Sequence, residues 1–326
     1  MRKFFIYLMA ASACLASCKK VDNGFLSDTL RYKTPDIYCL RGLNVVQSDA
    51  IDLDGSTPPM SFEMLNLRDS SGKALPPEFT TKYDILAFKS GVTFDVNADT
   101  TIELLNKKRE KRNVLPYEFN KLSGQLTFNR GALNLPLGIY NFDVRATNVR
   151  GTKFYPSLGR INVIDPTEDD MFKLEDNANN AFNDADGKST PMKGLKVKFT
   201  KVSAEGARII LKLVDKNGSP FNSSAGEVIK RGDRPTFENY TRFHPITYND
   251  TSMVCDFEVA PFPLAPYVDA TTNWNHLIYY RIPSQFVLID GFTPHAYSAN
   301  VRIAFDIKLE GTFIVEYKMP DAVRTP

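Results

Sequence analysis

Cysteine is scarce. Of four residues, Cys14 and Cys18 fall at the extreme N-terminus, which leaves Cys39 and Cys255 far apart in the chain. That excludes a disulfide framework, and two unclustered thiols are poor zinc ligands, so stability must come from an apolar core. Histidine is scarcer still. His244, His276 and His295 each lie in a separate loop-like setting, and no pair has metal-ligand spacing. No metal site is expected. Also missing are a Gly-x-Ser-x-Gly elbow, a Walker loop and a dinucleotide fingerprint, so no cofactor is expected either. Asp52-Leu53-Asp54-Gly55 and Asp184-Ala185-Asp186-Gly187 open like calcium loops. Their sixth positions are Thr57 and Ser189 where an EF-hand needs glycine, so both read as turns. A glycosidase would need two carboxylates facing across a cleft, a pairing that is spatial. The chain is therefore read as non-enzymatic.

Charge of one sign is lacking as well. Forty Lys and Arg stand against 38 Asp and Glu, whereas a sequence-blind nucleic-acid binder needs a basic surplus on one face. No nucleic-acid partner is expected. The densest basic run, Lys107 to Arg112, is short and reads as the solvated end of a helix or hairpin. Nor does any segment reach the ~18 consecutive apolar residues of a membrane-spanning helix.

What is present begins at the N-terminus. Arg2 and Lys3 precede an apolar stretch from Phe4 to Leu15, the length of a secretory h-region. Leu15-Ala16-Ser17-Cys18 then resembles the bacterial lipobox. The expectation is a signal peptide over residues 1–17, with Cys18 acylated as the first mature residue and the protein held to a membrane by its lipid chains. Without Arg2 and Lys3, basic and acidic residues balance. Residues 18–35 read as a lipidated polar tether.

From Asp36 onward, short β-branched and aromatic runs alternate with turn chemistry such as Asp54-Gly55-Ser56-Thr57-Pro58-Pro59. The clearest segment is Gly138 to Asn148, in which Tyr140, Phe142, Val144 and Ala146 fall on one face. Its Gly-x-Tyr-x-Phe-x-Val-x-Ala-x-Asn pattern resembles the penultimate strand of immunoglobulin-like sandwiches. Thr101 to Arg112 is the best helix candidate, with a threonine cap and Glu103 in the first turn. Asn177 to Lys188 reads as a short helix or an irregular loop. The acidic, proline-containing run Asp165 to Asp170 marks a boundary. The expected fold is mainly β with at most one or two short helices. It comprises an immunoglobulin-like β-sandwich over 36–165 and a second β-rich sandwich over 166–326.

The segment Tyr267 to Arg281 offers the best binding chemistry. Sugar rings present apolar C–H faces to aromatic planes, while amides and carboxylates bind their hydroxyls. Trp274 and Tyr267, with Asp269, Asn273 and Asn275, supply both kinds of group. Packing is the alternative role for the aromatics. Arg231-Gly232-Asp233 reads simply as a charged turn.

Taken together, the lipobox, the tether, the Asp-Gly-Ser-Thr-Pro turn and the Tyr140 to Asn148 strand resemble Bacteroidota accessory lipoproteins. The resemblance is closest to the uncharacterised domain-of-unknown-function family numbered 5007, and includes Ile229 to Phe237 and Asp256 to Pro263. It implies an outer-membrane lipoprotein, displayed on the cell surface or else facing the periplasm, that binds glycan for an outer-membrane transporter. Two other expectations compete. One is a structural or assembly subunit without a small-molecule site, which an exposed contiguous apolar patch would favour. The other is a hydrolase, which would require a deep cleft with facing carboxylates or a metal.

Overall fold

A computed structural model describes residues 24–325 except Asn44. Cys18, the expected signal peptide 1–17 and the first residues of the expected tether lie outside the described residues. The protein is mainly β, with strand outweighing helix 46% to 8%. No helix among the described residues is long and apolar enough to cross a membrane.

In the N-terminal half the elements are β1 (Asp36–Leu40), β2 (Ser61–Asp69), β3 (Tyr83–Phe88), α1 (Ile102–Lys107), β4 (Arg109–Val114), β5 (Tyr117–Phe119), β6 (Leu126–Asn129), β7 (Gly138–Asn148) and β8 (Gly151–Ile164). One sheet runs β1-β8-β7-β2, with β1 parallel to β8 and the other pairs antiparallel. A second sheet joins Val45–Gln47, β6 and β5. Their inner faces share one core that includes Ile37, Phe62, Leu126, Phe128, Phe142, Val144 and Ile161. The alternation read along β7 holds, since Tyr140, Phe142, Val144 and Ala146 are all buried. The Tyr140 hydroxyl donates to the Pro136 carbonyl (3.2 Å), fixing the corner before the strand.

Asp143 is buried too, because both neighbouring strands bulge opposite it, β2 at Asn66 and β8 at Ser157. Pairing shifts register against both neighbours, and Asn66 and Ser157 adopt positive φ beside it. The carboxylate accepts from the Ser157 N–H (2.7 Å) and the Asn66 amide (2.8 Å), and Arg68 approaches to 3.0 Å. Burial pushes the Asp143 carboxyl up, but these partners outweigh it and hold it below the usual range.

The helix expected over 101–112 forms only as α1. The Thr101 side chain accepts from the Leu104 N–H, and Leu105 anchors the single face. From Arg109 the chain turns to strand because six residues pair with β3, so most of the basic run is a hairpin arm.

The C-terminal half contains α2 (Glu168–Met171), β9 (Phe172–Asn183), β10 (Ser189–Pro191), β11 (Lys196–Ser203), β12 (Arg208–Val214), β13 (Ile229–Lys230), β14 (Thr247–Tyr248), β15 (Met253–Asp256), β16 (Tyr267–Val268), β17 (Asn273–Asn275), β18 (Ile278–Ile282), β19 (Tyr297–Ile307) and β20 (Thr312–Lys318). Two five-stranded sheets, β10-β9-β19-β18-β13 and β11-β20-β12-β15-β14, face each other. The core between them includes Ile278, Tyr280, Val301, Ile303 and Phe305 from the first and Ile209, Leu211, Phe313 and Val315 from the second. Cys39 and Cys255 are buried free thiols in the two separate cores, and burial pushes the Cys39 thiol up to about 12.

Most of Asn177 to Lys188 is neither helix nor loop. It is the end of β9, held against β19 in an eleven-pair ladder broken by one bulge. A full ladder outweighs the weak β-propensity of asparagine and alanine. The two halves meet through an ion pair and a side-chain bond to a backbone carbonyl: Arg130 pairs with Glu310 (2.8 Å), and Arg109 donates to the Glu258 carbonyl (2.9 Å).

Candidate functional site

The segment Tyr267 to Asn275 folds as a hairpin, β16 against β17, directly before β18. Its turn is organised by Asp269. One carboxylate oxygen accepts from the N–H groups of Thr271 and Thr272 (both 2.8 Å) and from the Thr271 hydroxyl (3.0 Å). The other accepts from the Trp274 indole N–H at 2.7 Å. These bonds, the indole's first among them, hold the Asp269 carboxyl at about 2. Asp269 is therefore a scaffold group that aims Trp274, and its lone pairs are largely committed.

Trp274 is half-buried. Its ring meets the edge of buried Tyr279 at 5.8 Å between centroids, with the planes at 80°. Tyr267 belongs elsewhere: it packs against the inner core and meets Tyr240 edge-on. The structure thus separates the two aromatics that sequence grouped together. Asn273 and Asn275 are exposed. The Asn273 side-chain carbonyl accepts from the Asn275 N–H (2.9 Å), and Asn275 takes positive φ at the hairpin's end.

Two residues that sequence reasoning passed over complete the site. Arg231 and Arg234 flank a tight turn closed by the Arg234 N–H to the Arg231 carbonyl, with Gly232 at φ +60. The turn is pinned to β18 on both sides. Ile229 and Lys230 pair with Arg281 and Tyr280, and the Tyr279 N–H donates to the Pro235 carbonyl. The Arg234 guanidinium consequently lies 5.0 Å from the Tyr279 ring centre and 5.7 Å from that of Trp274, while Arg231 lies 5.7 Å from Tyr279. All three are cation–π distances. The only sequence signal was a cation-rich turn after an edge strand, and nothing in it placed that turn beside Tyr279.

Strand alternation extends the site across the sheet's outer face. Tyr279 pairs with Arg302, which pairs with Ala178; Arg281 pairs with Asn300, which pairs with Asn180. Arg281 donates to the Asn300 side chain (2.9 Å) and lies 4.1 Å from the Phe182 ring centre. Arg302 is paired with Asp176 (3.1 Å). A shallow recess of about 500 Å³ adjoins the end of the hairpin, lined by Glu175, Asp176, Pro266, Asn275, His276 and Leu277 among others. Glu175 accepts from His276 across 2.7 Å. Burial pushes the Glu175 carboxyl up, but bonds from Lys173 and His276 outweigh it and hold it low. Asp306 is pushed the other way by burial, and one of its oxygens has no partner.

The remaining candidates find local employment. His295 meets the Ser284 carbonyl (3.0 Å), and His244 approaches Glu258 (3.4 Å). Asp54 accepts from the hydroxyls of Ser27 and Thr29, and Asp184 from that of Ser298. A second recess, of about 570 Å³, lies in the other half of the molecule between the β3–β4 ribbon and the β5–β6 sheet. Its walls include Ile85, Phe88, Val114, Leu115 and Tyr117. Its rim adds Arg112, Asn113, Glu118 and Asn129, with Val259 reaching in from the C-terminal half, so it too combines aromatic, amide and charged groups around a larger apolar wall.

No protein-family model matches the chain, and no curated protein does. Among solved structures, the chain has a distant likeness to BT4661, a SusE-like surface located polysaccharide binding protein from the heparin utilisation locus of Bacteroides thetaiotaomicron. The two share 9% identity with a TM-score of 0.20, over 89% of this chain and 53% of that one. This chain spans about half the length of that protein, and a likeness of this degree carries no functional argument.

Proposed function

We propose that the protein is a non-catalytic, lipid-anchored lipoprotein of the outer membrane, displayed at the cell surface, that binds glycan for an import system of the Bacteroidota type. The lipobox ending at Cys18 supports the anchor and the address. The observation that carries the binding role is the setting of Trp274. The only tryptophan of the chain is oriented by a carboxylate with committed lone pairs. Its ring lies at cation–π distance from Arg234, and the next residue, Asn275, lines a recess with His276, Glu175 and Asp176. An oriented aromatic beside amides and carboxylates offers a sugar ring both a C–H-binding plane and hydroxyl partners.

The first sandwich is read as an immunoglobulin-like spacer. The parallel pairing of β1 with β8 and the Tyr140 corner support that reading. The family resemblance belongs to the same proposal. A docking role without a small-molecule site fits less well. Exposed Tyr38, Ile139 and Phe154 share one sheet face, but Asn162 and the Arg160–Asp36 and Arg145–Glu63 pairs interrupt them.

A glycan-array screen of the soluble mature protein, with Trp274→Ala as control, tests the proposal. Binding that disappears in the variant supports it. Silence from a folded protein would turn the assignment toward a structural subunit.

A further inference from the structure

The outer face beside Trp274 carries more cation than the surrounding protein neutralises. Arg231 and Arg234 are half-buried, and each lies at cation–π distance from Tyr279. Among the described residues, no carboxylate or carbonyl accepts a side-chain hydrogen bond from either one. Asp233, in the turn between them, pairs with neither. Arg281 stands one strand inward with only its Nε–H bonded, to Asn300. Of the guanidinium groups on this face, only that of Arg302 has an acidic partner, Asp176.

A guanidinium presents five N–H donors in a rigid fork that matches carboxylate and sulfate oxygens in pairs. Aromatic packing leaves those edge donors free while restricting the side chain's motion, so less entropy is lost when an anion binds. The cluster also stands under strain of its own making. Burial lowers the Arg231 pKa, and the nearby charges of Arg234, Arg281 and Arg302 lower it further. An anion relieves that repulsion.

We infer that the ligand of this site is an anionic glycan, its carboxylate or sulfate groups received by Arg231 and Arg234, with Arg281 inward, while Trp274 packs against the adjoining sugar ring. The inference rests on the reading of the Trp274 face as a glycan site and adds the ligand's charge class. A sequence-blind nucleic-acid ligand fits less well, because basic and acidic side chains are nearly balanced over the chain and the cluster is confined to one patch.

The test is isothermal titration of the purified mature protein with matched polymers: dextran against dextran sulfate for sulfate, polygalacturonate against its carboxyl-reduced form for carboxylate, and single-stranded DNA as a sugar-phosphate polyanion. The variants are Arg231→Gln, Arg234→Gln, the double variant Arg231→Lys with Arg234→Lys, and Trp274→Ala, each checked for folding by circular dichroism. The inference predicts that at least one anionic polymer binds while its neutral counterpart does not. Affinity should fall about 10- to 100-fold per Arg→Gln change, and added salt should weaken it. The double Lys variant keeps the charge but loses the fork, and should fall between.

Neutral glycan bound through Trp274 with the Arg→Gln variants unaffected would overturn the charge assignment and leave the glycan site standing. Single-stranded DNA bound as tightly through the same arginines would overturn the glycan assignment in favour of polyanion recognition. Binding indifferent to every variant, or none to any polymer by folded protein, would overturn both.

Discussion

Gly159 lies directly across from Phe142 in the β7–β8 ladder, and the ring covers it. A Cβ added at Gly159 would stand 2.1 Å from the ring's Cζ and 2.3 Å from Cε1, far inside the ~3.5 Å of favourable carbon contact. The ring has nowhere to go. Phe142 is fully buried and lies edge-on to Tyr32 and Phe119, each 6.2 Å away. Gly159→Ala should therefore cost about 3 kcal/mol, the upper end of the usual overpacking range. Phe142→Ala alone should cost about 3–5 kcal/mol through lost burial and the cavity left behind. In the double variant the new methyl enters vacated space, so the total should be close to that of Phe142→Ala alone. That is a coupling of about 3 kcal/mol. Urea denaturation followed by far-UV circular dichroism measures all four corners of the cycle. Costs that add to within ~0.5 kcal/mol would refute the claim that Gly159 is required for space under the ring.

Because Trp274 is the only tryptophan, its emission should titrate with Asp269 near pH 2, well below an ordinary aspartate, and Asp269→Asn should abolish that step; a midpoint near 4 would refute the indole–carboxylate bond. Glu227→Ala should destabilise by about 3 kcal/mol by chemical denaturation. It strips the buried carboxylate from Arg324, which it meets through two 2.6 Å bonds, although Arg324 is partly exposed. Burial pushes the Glu227 carboxyl up, but Arg324 and the Asn222 N–H outweigh it and hold it low. Its stabilisation is therefore present above about pH 4 and lost as pH falls through the lower folded value, so the variant's deficit should shrink in acid. Asp306→Asn should do the opposite. Burial raises the Asp306 pKa, with His276, Lys308 and Lys173 opposing and Glu175 reinforcing. The native aspartate thus loses stability as pH rises from about 4 through its folded pKa, and the variant should gain about 1 kcal/mol at neutral pH and nothing at pH 3. A variant less stable than the parent at neutral pH would show that the ionised carboxylate is needed.

Period-two patterning made β7 legible, because each inward position is apolar and the partner β8 follows a two-residue turn. What patterning could not show is where the ladder breaks. Asp143 faces outward as its polarity suggests, yet it is buried because bulges in both neighbouring strands bring Asn66, Arg68 and Ser157 over it. Long-range pairing also overrode local preference. Asn177 to Asn183 has weak intrinsic strand character and becomes strand because β19 offers a ladder. Arg109 to Val114 leaves its helix because β3 does the same.

The candidate site shows the same division. Trp274 was recognisable by type, and Asp269 by proximity, but only geometry reveals that Asp269 positions the indole. Tyr267 alternates inward to the core. Arg231 and Arg234 looked like an ordinary charged turn, because a sequence carries no sign that Tyr279, far along the chain, lies beneath them.

The most direct measurement of the binding claim is the emission of Trp274 as glycans that score on an array are titrated into the mature protein. A saturable change in intensity or wavelength is predicted, with an affinity matching that from calorimetry, because the ligand must contact or cover the ring. Glycan binding measured by calorimetry with Trp274 emission unchanged would place the site elsewhere and contradict the account.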